Sequence, residues 1–241
     1  MSEALRIALV AEGPTEREVM EAALKVILAP RTFILTQLQP EATKPAMGNG
    51  WGGVLKWCQQ LANRCNPHGG TVDDDPTLSI FDGVVLHLDA DVANFAYTDL
   101  RPPFTNEEAA ERGWMPLPCT ALCPPANLFA DDLFAVLLSW LSPATPGAKT
   151  VVCIPAMNTG AWHAAAKLPN GHDLLVDLEC NNDIELRLKG LPLALRVDKG
   201  KRQSRLDAAA AVTQHWAIVT ERCARADAFQ NAILAAFPND P

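Results

Sequence analysis

At 241 residues, with 49% hydrophobic and 20% charged residues, the chain is long enough to bury a substantial core and too apolar for wholesale disorder. A net charge of −8 excludes a generally basic surface, so any hold on phosphate has to come from local clusters of Lys and Arg. The apolar runs are too short to cross a bilayer and no charged segment followed by an apolar stretch opens the chain, so a cytoplasmic protein with no membrane partner is expected.

Arg6 to Ala11 predicts a buried first strand. Gly13-Pro14 then turns the chain, and Thr15 with Glu18 has the capping-box spacing of a helix running to about Leu28. Phe33 to Leu38 predicts a second strand, and Pro40 to Gly53, with two prolines and four glycines, predicts a loop. Val54, Cys58, Leu61 and Cys65 lay one apolar stripe along a helix. Asn66 to Pro76 is a surface loop, in which Asp73-Asp74-Asp75 reads as a solvated turn rather than a cation site. Gly83 to Leu88 is another buried strand, closed by Asp89-Ala90-Asp91. Within the irregular stretch Asn94 to Pro118, Thr105 and Glu108 cap a short helix and Trp114 to Cys119 reads as a short strand. An apolar helix from about Leu128 to Leu141 and a strand from Lys149 to Pro155 follow, the latter with a polar end through Thr159. After Trp162 the pattern is helical: Val212, Trp216, Val219 and Cys223 form a stripe, and Asp227 with Gln230 caps a last helix carrying Phe229, Ile233 and Phe237. The alternation predicts an α/β fold, a largely parallel sheet flanked by helices over residues 1–165, with a helical C-terminal part, 166–241, packed on it as a second unit or as one continuous domain.

Two acidic turns close apolar runs, Glu12-Gly13-Pro14-Thr15-Glu16 and Asp89-Ala90-Asp91. Side chains two apart on a strand share a face, so Asp89 and Asp91 are expected to point together, and parallel neighbours would bring Glu12 to the same edge, where α/β sheets collect ligands. Carboxylates gathered this way repel unless cations bind between them. The blander readings are a surface turn for Asp89 and Asp91, and first-turn helix acids for Glu12 and Glu16. Seven of the 20 basic residues lie between Arg187 and Arg205 against one acid, Asp198, which reads either as a solvated surface or as a phosphate-contacting patch. The seven cysteines show no paired CxxC spacing and read as reduced, mostly buried thiols; Cys119 and Cys123 lack the second pair that zinc requires. The five histidines have no ligand spacing; His87 reads as a satisfied buried histidine and His163 as a residue able to face the cleft.

The sequence Leu9-Val10-Ala11-Glu12-Gly13-Pro14-Thr15-Glu16, followed by Leu86-His87-Leu88-Asp89-Ala90-Asp91, resembles the Toprim fold as found in OLD-family nucleases and small stand-alone Toprim-like proteins of bacteria. Those families carry a Glu-Gly-x-Thr/Ser-Glu turn after the first strand and an Asp-x-Asp after a later one. The likeness extends to Pro155 through Trp162 and to Arg222 through Phe229. It implies a metal-dependent phosphodiesterase or nuclease using Mg²⁺ (or Mn²⁺), in bacterial defence or DNA processing, with nucleic acid as partner, DNA favoured over RNA, and with room for a partner protein from the same system. Glu12 would be a metal ligand or general acid/base, Asp89 and Asp91 metal-binding, and Glu16 a further ligand. Lys199, with Lys201 and Arg202, would contact phosphate. One departure stands out: relatives place an acid just before the tryptophan of the later turn, where this chain has Gly160-Ala161-Trp162. Glu179, Asp183 and Glu185 are the possible substitutes, each read first as a surface helix acid. Two other functions remain open: a noncatalytic module binding nucleotide or a partner, and a phosphatase with Asp89 as nucleophile and Asp91 as acid/base, which leaves the Glu12 turn unexplained.

Overall fold

Leu5–Val10, exposed only at Arg6, forms β1, the strand from which the rest of the sheet is built. The computed structural model describes residues 3–41, 43–65 and 69–238, so His68 and part of the Asn66 to Pro76 loop lie outside the described residues. After β1 come α1 (Pro14–Ile27), β2 (Phe33–Gln39), α2 (Trp51–Arg64), β3 (Gly70–Thr71), β4 (Gly83–His87), α3 (Asn106–Glu111), α4 (Ala126–Leu141), β5 (Ala144–Thr145) and β6 (Thr150–Cys153). The chain then turns helical through α5 (Gly160–Lys167), α6 (Ile184–Lys189), α7 (Arg202–Gln214), α8 (Trp216–Arg222) and α9 (Ala224–Ala236).

Four strands form one sheet in the order β2-β1-β4-β6, all parallel, while β3 and β5 pair apart from it. Alternation along β1 splits the core in two. Ile7 and Leu9 face α1 and α5 to α9, whereas Ala8 and Val10 face α2 and α4. The C-terminal helices thus cover one sheet face together with α1. The register pairs Val10 with Leu86 and His87 with Cys153, so β1, β4 and β6 end at the same level and their outgoing turns share one edge. No helix among the described residues is long and apolar enough to cross a membrane.

Several local expectations are corrected. Pro14 occupies the first position of α1 with Gly13 before it, so Thr15 and Glu18 lie inside the helix and form no capping box; Glu18 instead pairs with Arg205 at 2.9 Å. The Pro40 to Gly53 loop gives way to α2 at Trp51. Trp114 to Cys119 is not a strand, because Pro116 and Pro118 remove two ladder donors; Trp114 and Leu117 bury instead as loop anchors of the α2 and α4 core. The Thr105–Glu108 box does form, at 2.7 and 3.1 Å. The Val212 to Cys223 stripe spans two helices that break at His215. Asp227 and Gln230 do not cap α9. The helix begins at Ala224, and the backbone N–H groups of Ala224 and Arg225 donate to the Glu179 carboxylate at 2.8 and 2.9 Å. The cysteines are not all reduced: Cys123 and Cys180 form a disulfide, joining the segment before α4 to the one before α6.

Candidate active site

Glu12 follows β1 and Asp89 follows β4, and the Asp89 N–H donates to Glu12 Oε1 at 2.8 Å. One hydrogen bond therefore fuses the two acidic turns. Asp89 and Asp91 do not share a strand face, because β4 stops at His87 and residues 90–94 wind into a 3-10 turn. That turn is held by the segment after β6: the Ala90 and Asp91 N–H groups donate to the carbonyls of Pro155 and Met157 at 3.1 and 2.9 Å. Both acids still reach the common edge.

The β6 to α5 turn supplies two polar residues absent from the sequence-based list. Met157 is buried with φ of 54°, a left-handed conformation uncommon for a residue with a side chain. It presents Asn158, whose Oδ1 accepts the Gly160 N–H at 2.9 Å and whose side chain lowers the Asp91 carboxyl against burial, and Thr159, which is fully buried. Their only signal in the sequence was the polar end of the strand.

Glu16, one turn into α1, is 5% exposed, and its carboxyl folds back against Gly13. A Cβ at Gly13 would lie 2.7 Å from Glu16 Oε2, so only glycine leaves this approach open. Opposite stands Lys199. Its ammonium donates to Thr159 Oγ1 at 3.1 Å and to Glu16 Oε1 at 3.3 Å, and pairs closely with Glu185 from α6. Arg205 anchors the Lys199 loop by donating to the Lys199 carbonyl at 2.8 Å while paired to Glu18. Lys201 and Arg202 sit exposed where α7 begins, Lys201 facing Asp198 at 4.0 Å. Of the three expected phosphate contacts, Lys199 alone pairs with an acid of the cluster.

Burial, followed by Asp91 and Glu16, pushes the Glu12 carboxyl up to about 8 against the lowering effects of the Asp89 hydrogen bond and of Lys199. Burial and then Glu12 raise Asp89 well above the carboxylate range. Asp91 rises to about 6, through burial and then Glu185. Burial would raise Glu16 too, but Lys199, His87 and the Thr15 hydroxyl outweigh it and keep it low. Burial opposes the charge on Lys199, yet Asp89, Glu185 and Glu16 hold it protonated beyond its ordinary range. Glu185, half-buried, is thus tied to the cluster through Lys199, whereas Glu179 is spent on α9 and Asp183 is exposed at the start of α6.

His87 is fully buried with both ring nitrogens unpartnered, Nε2 standing 3.5 Å from Asp89 Oδ1, and burial drives its pKa down to about 4. It is not the satisfied histidine expected. His163 is buried and lines a cavity of about 170 Å³ with Gly160, Glu185, Asp198 and Lys199, a cavity that Glu12, Asp89 and Asp91 do not line.

Among the described residues no three His, Cys, Asp or Glu side chains are spaced as ready metal ligands. The donor chemistry nevertheless fits a hard divalent cation: the cluster offers carboxylate oxygens, they repel one another, and the buried Asp89 Oδ1 has no partner. Compared with models of known protein families, with curated proteins and with solved structures, the chain matches none.

Proposed function

We propose that this protein is a Toprim-type, metal-dependent phosphodiesterase, a nuclease acting in bacterial defence or DNA processing. The observation that carries the reading is the 2.8 Å hydrogen bond from the Asp89 backbone to Glu12, which gathers both acidic turns at the carboxyl edge of a parallel sheet. Glu12, Asp89 and Asp91 would hold Mg²⁺ or Mn²⁺, with Glu16 as a further ligand. When bound, the cation lowers the pKa of a coordinated water and neutralises charge developing on phosphate. The residues have separate tasks. Glu12 fixes the Asp89 turn by accepting its backbone N–H and stands as a cation ligand or as the general acid/base. Asn158 lowers the Asp91 carboxyl against the effect of burial. Lys199, positively charged and close to the acids, is placed to contact a phosphate oxygen. Nucleic acid, DNA before RNA, is the substrate class the reading favours, and the acidic surface leaves part of the affinity to a partner protein.

The test is incubation of the purified protein with supercoiled plasmid, single-stranded DNA and RNA, each with Mg²⁺, Mn²⁺ or EDTA. Cation-dependent cutting that disappears in Asp89→Asn is expected; equal cutting by a folded Asp89→Asn variant would remove the site from the reaction.

A second reading has its own support. Lys199 already neutralises Glu16 and Glu185, as would suit a noncatalytic module that binds nucleotide or a protein. Nucleotide binding without turnover of any substrate would mark it.

A further inference from the structure

Gly160 and Glu185 belong to one arrangement. A Cβ at residue 160 would lie 2.7 Å from Glu185 Cγ and 2.6 Å from Asn158 Oδ1, so the space beside the β6 to α5 turn is already filled by the stem of Glu185. The helix carrying Glu185 is short but firmly seated: Ile184 and Leu188 are buried in the core on either side of it. Its carboxylate is held by the Lys199 ammonium, which also contacts Glu16 Oε1 at 3.3 Å and Thr159 Oγ1 at 3.1 Å. One lysine therefore bridges acids from α1 and α6 across the sheet edge. Asp89 Oδ1, at the same sheet edge, is buried and has no hydrogen-bond partner, so the protein leaves an acceptor unused there.

We propose that Glu185, delivered from α6 through the space that Gly160 leaves open, is the carboxylate that completes the cation site, and that Lys199 is the internal counter-ion which a divalent cation displaces. The inference rests on the proposed cation-dependent reading. It gives Lys199 two sequential partners, the acids before the cation binds and a phosphate oxygen afterwards. Like charge from Glu185 on Asp91 is consistent with the two carboxylates facing one site. Exchange of one ammonium for one divalent ion also gives the cluster the extra positive charge that its five acids lack.

The test is a titration with Mn²⁺ alone, followed by electron paramagnetic resonance of the free ion, on wild type, Asp89→Asn, Glu185→Gln, Gly160→Ala and Lys199→Met, with thermal melts confirming the fold. Glu185→Gln is expected to weaken Mn²⁺ binding by about tenfold or more. Gly160→Ala, whose methyl crowds the Glu185 stem, is expected to weaken it as well and serves if the first variant does not fold. Lys199→Met is expected to bind Mn²⁺ at least as tightly as wild type while losing turnover. Wild-type binding in Glu185→Gln or in Gly160→Ala, with binding lost in Asp89→Asn, would overturn the inference and leave the cation site standing. Weakened binding in Lys199→Met would overturn the counter-ion role. Failure of the wild-type protein to bind Mn²⁺ would overturn both the inference and the reading beneath it.

Discussion

Glu12 shows how one side chain joins structure to chemistry, because the oxygen that ties down the Asp89 backbone belongs to the carboxyl that burial pushes to about 8. The sign of its effect on stability follows from proton counting. Between the ordinary 4.5 and about 8, the folded protein keeps a proton that the unfolded chain has released, so stability falls as pH rises through that window. Asp91, at about 6, acts the same way over a narrower range. His87 and His163, depressed to about 4 and about 3, act oppositely and destabilise only as pH falls below 6.5. From 6.5 to 8 the carboxyl of Glu12 dominates, so the metal-free melting temperature is expected to drop over that interval. Melts in EDTA check it, and Glu12→Gln should flatten the curve. The acids and Lys199 were legible as residues because each lies in, or beside, a short motif. Glu185 was not: nothing in the sequence near it distinguishes a site acid from a solvated one, and its stem packs where a side chain at position 160 would stand.

At the level of elements, the turns out of β1, β4 and β6 do the positioning, and each is held from elsewhere in the chain. The strands were readable because a parallel sheet buried on both faces writes itself as continuous apolar runs. Helix starts were less readable, since α9 takes its cap from Glu179, 45 residues earlier, which no local spacing encodes. Glu179→Ala is expected to lower stability by about 1 kcal/mol in denaturant titrations, with the cation site intact. Behind the β6 to α5 turn, Trp162 is fully buried, edge-on to Trp216 at 5.4 Å and tilted against Phe229 at 5.7 Å. Trp162→Ala should cost about 3–5 kcal/mol, and it should also loosen the adjoining turn that carries Asn158 and Thr159.

Across the whole molecule, the C-terminal helices do more than cover the sheet, since α6 and the loop before α7 bring Glu185 and Lys199 to an edge built by the first two-thirds of the chain. That convergence was hidden from the sequence, because it depends on which helix packs where. The same holds for the Cys123–Cys180 disulfide, which closes a separation of 57 residues. Thiol titration of the denatured protein should find five free cysteines of seven, and reduction should lower stability by up to about 4 kcal/mol through the freed chain entropy. The central claim, that this edge hydrolyses phosphodiesters with a cation held by Glu12, Asp89 and Asp91, is tested most directly with bis-p-nitrophenyl phosphate, which asks for the chemistry without requiring the right nucleic acid. Release of nitrophenolate that needs Mg²⁺ or Mn²⁺ and falls by roughly a hundredfold or more in both Glu12→Gln and Asp89→Asn is the expected result. No release by the folded, cation-loaded wild-type protein, or equal release by either variant, would contradict it.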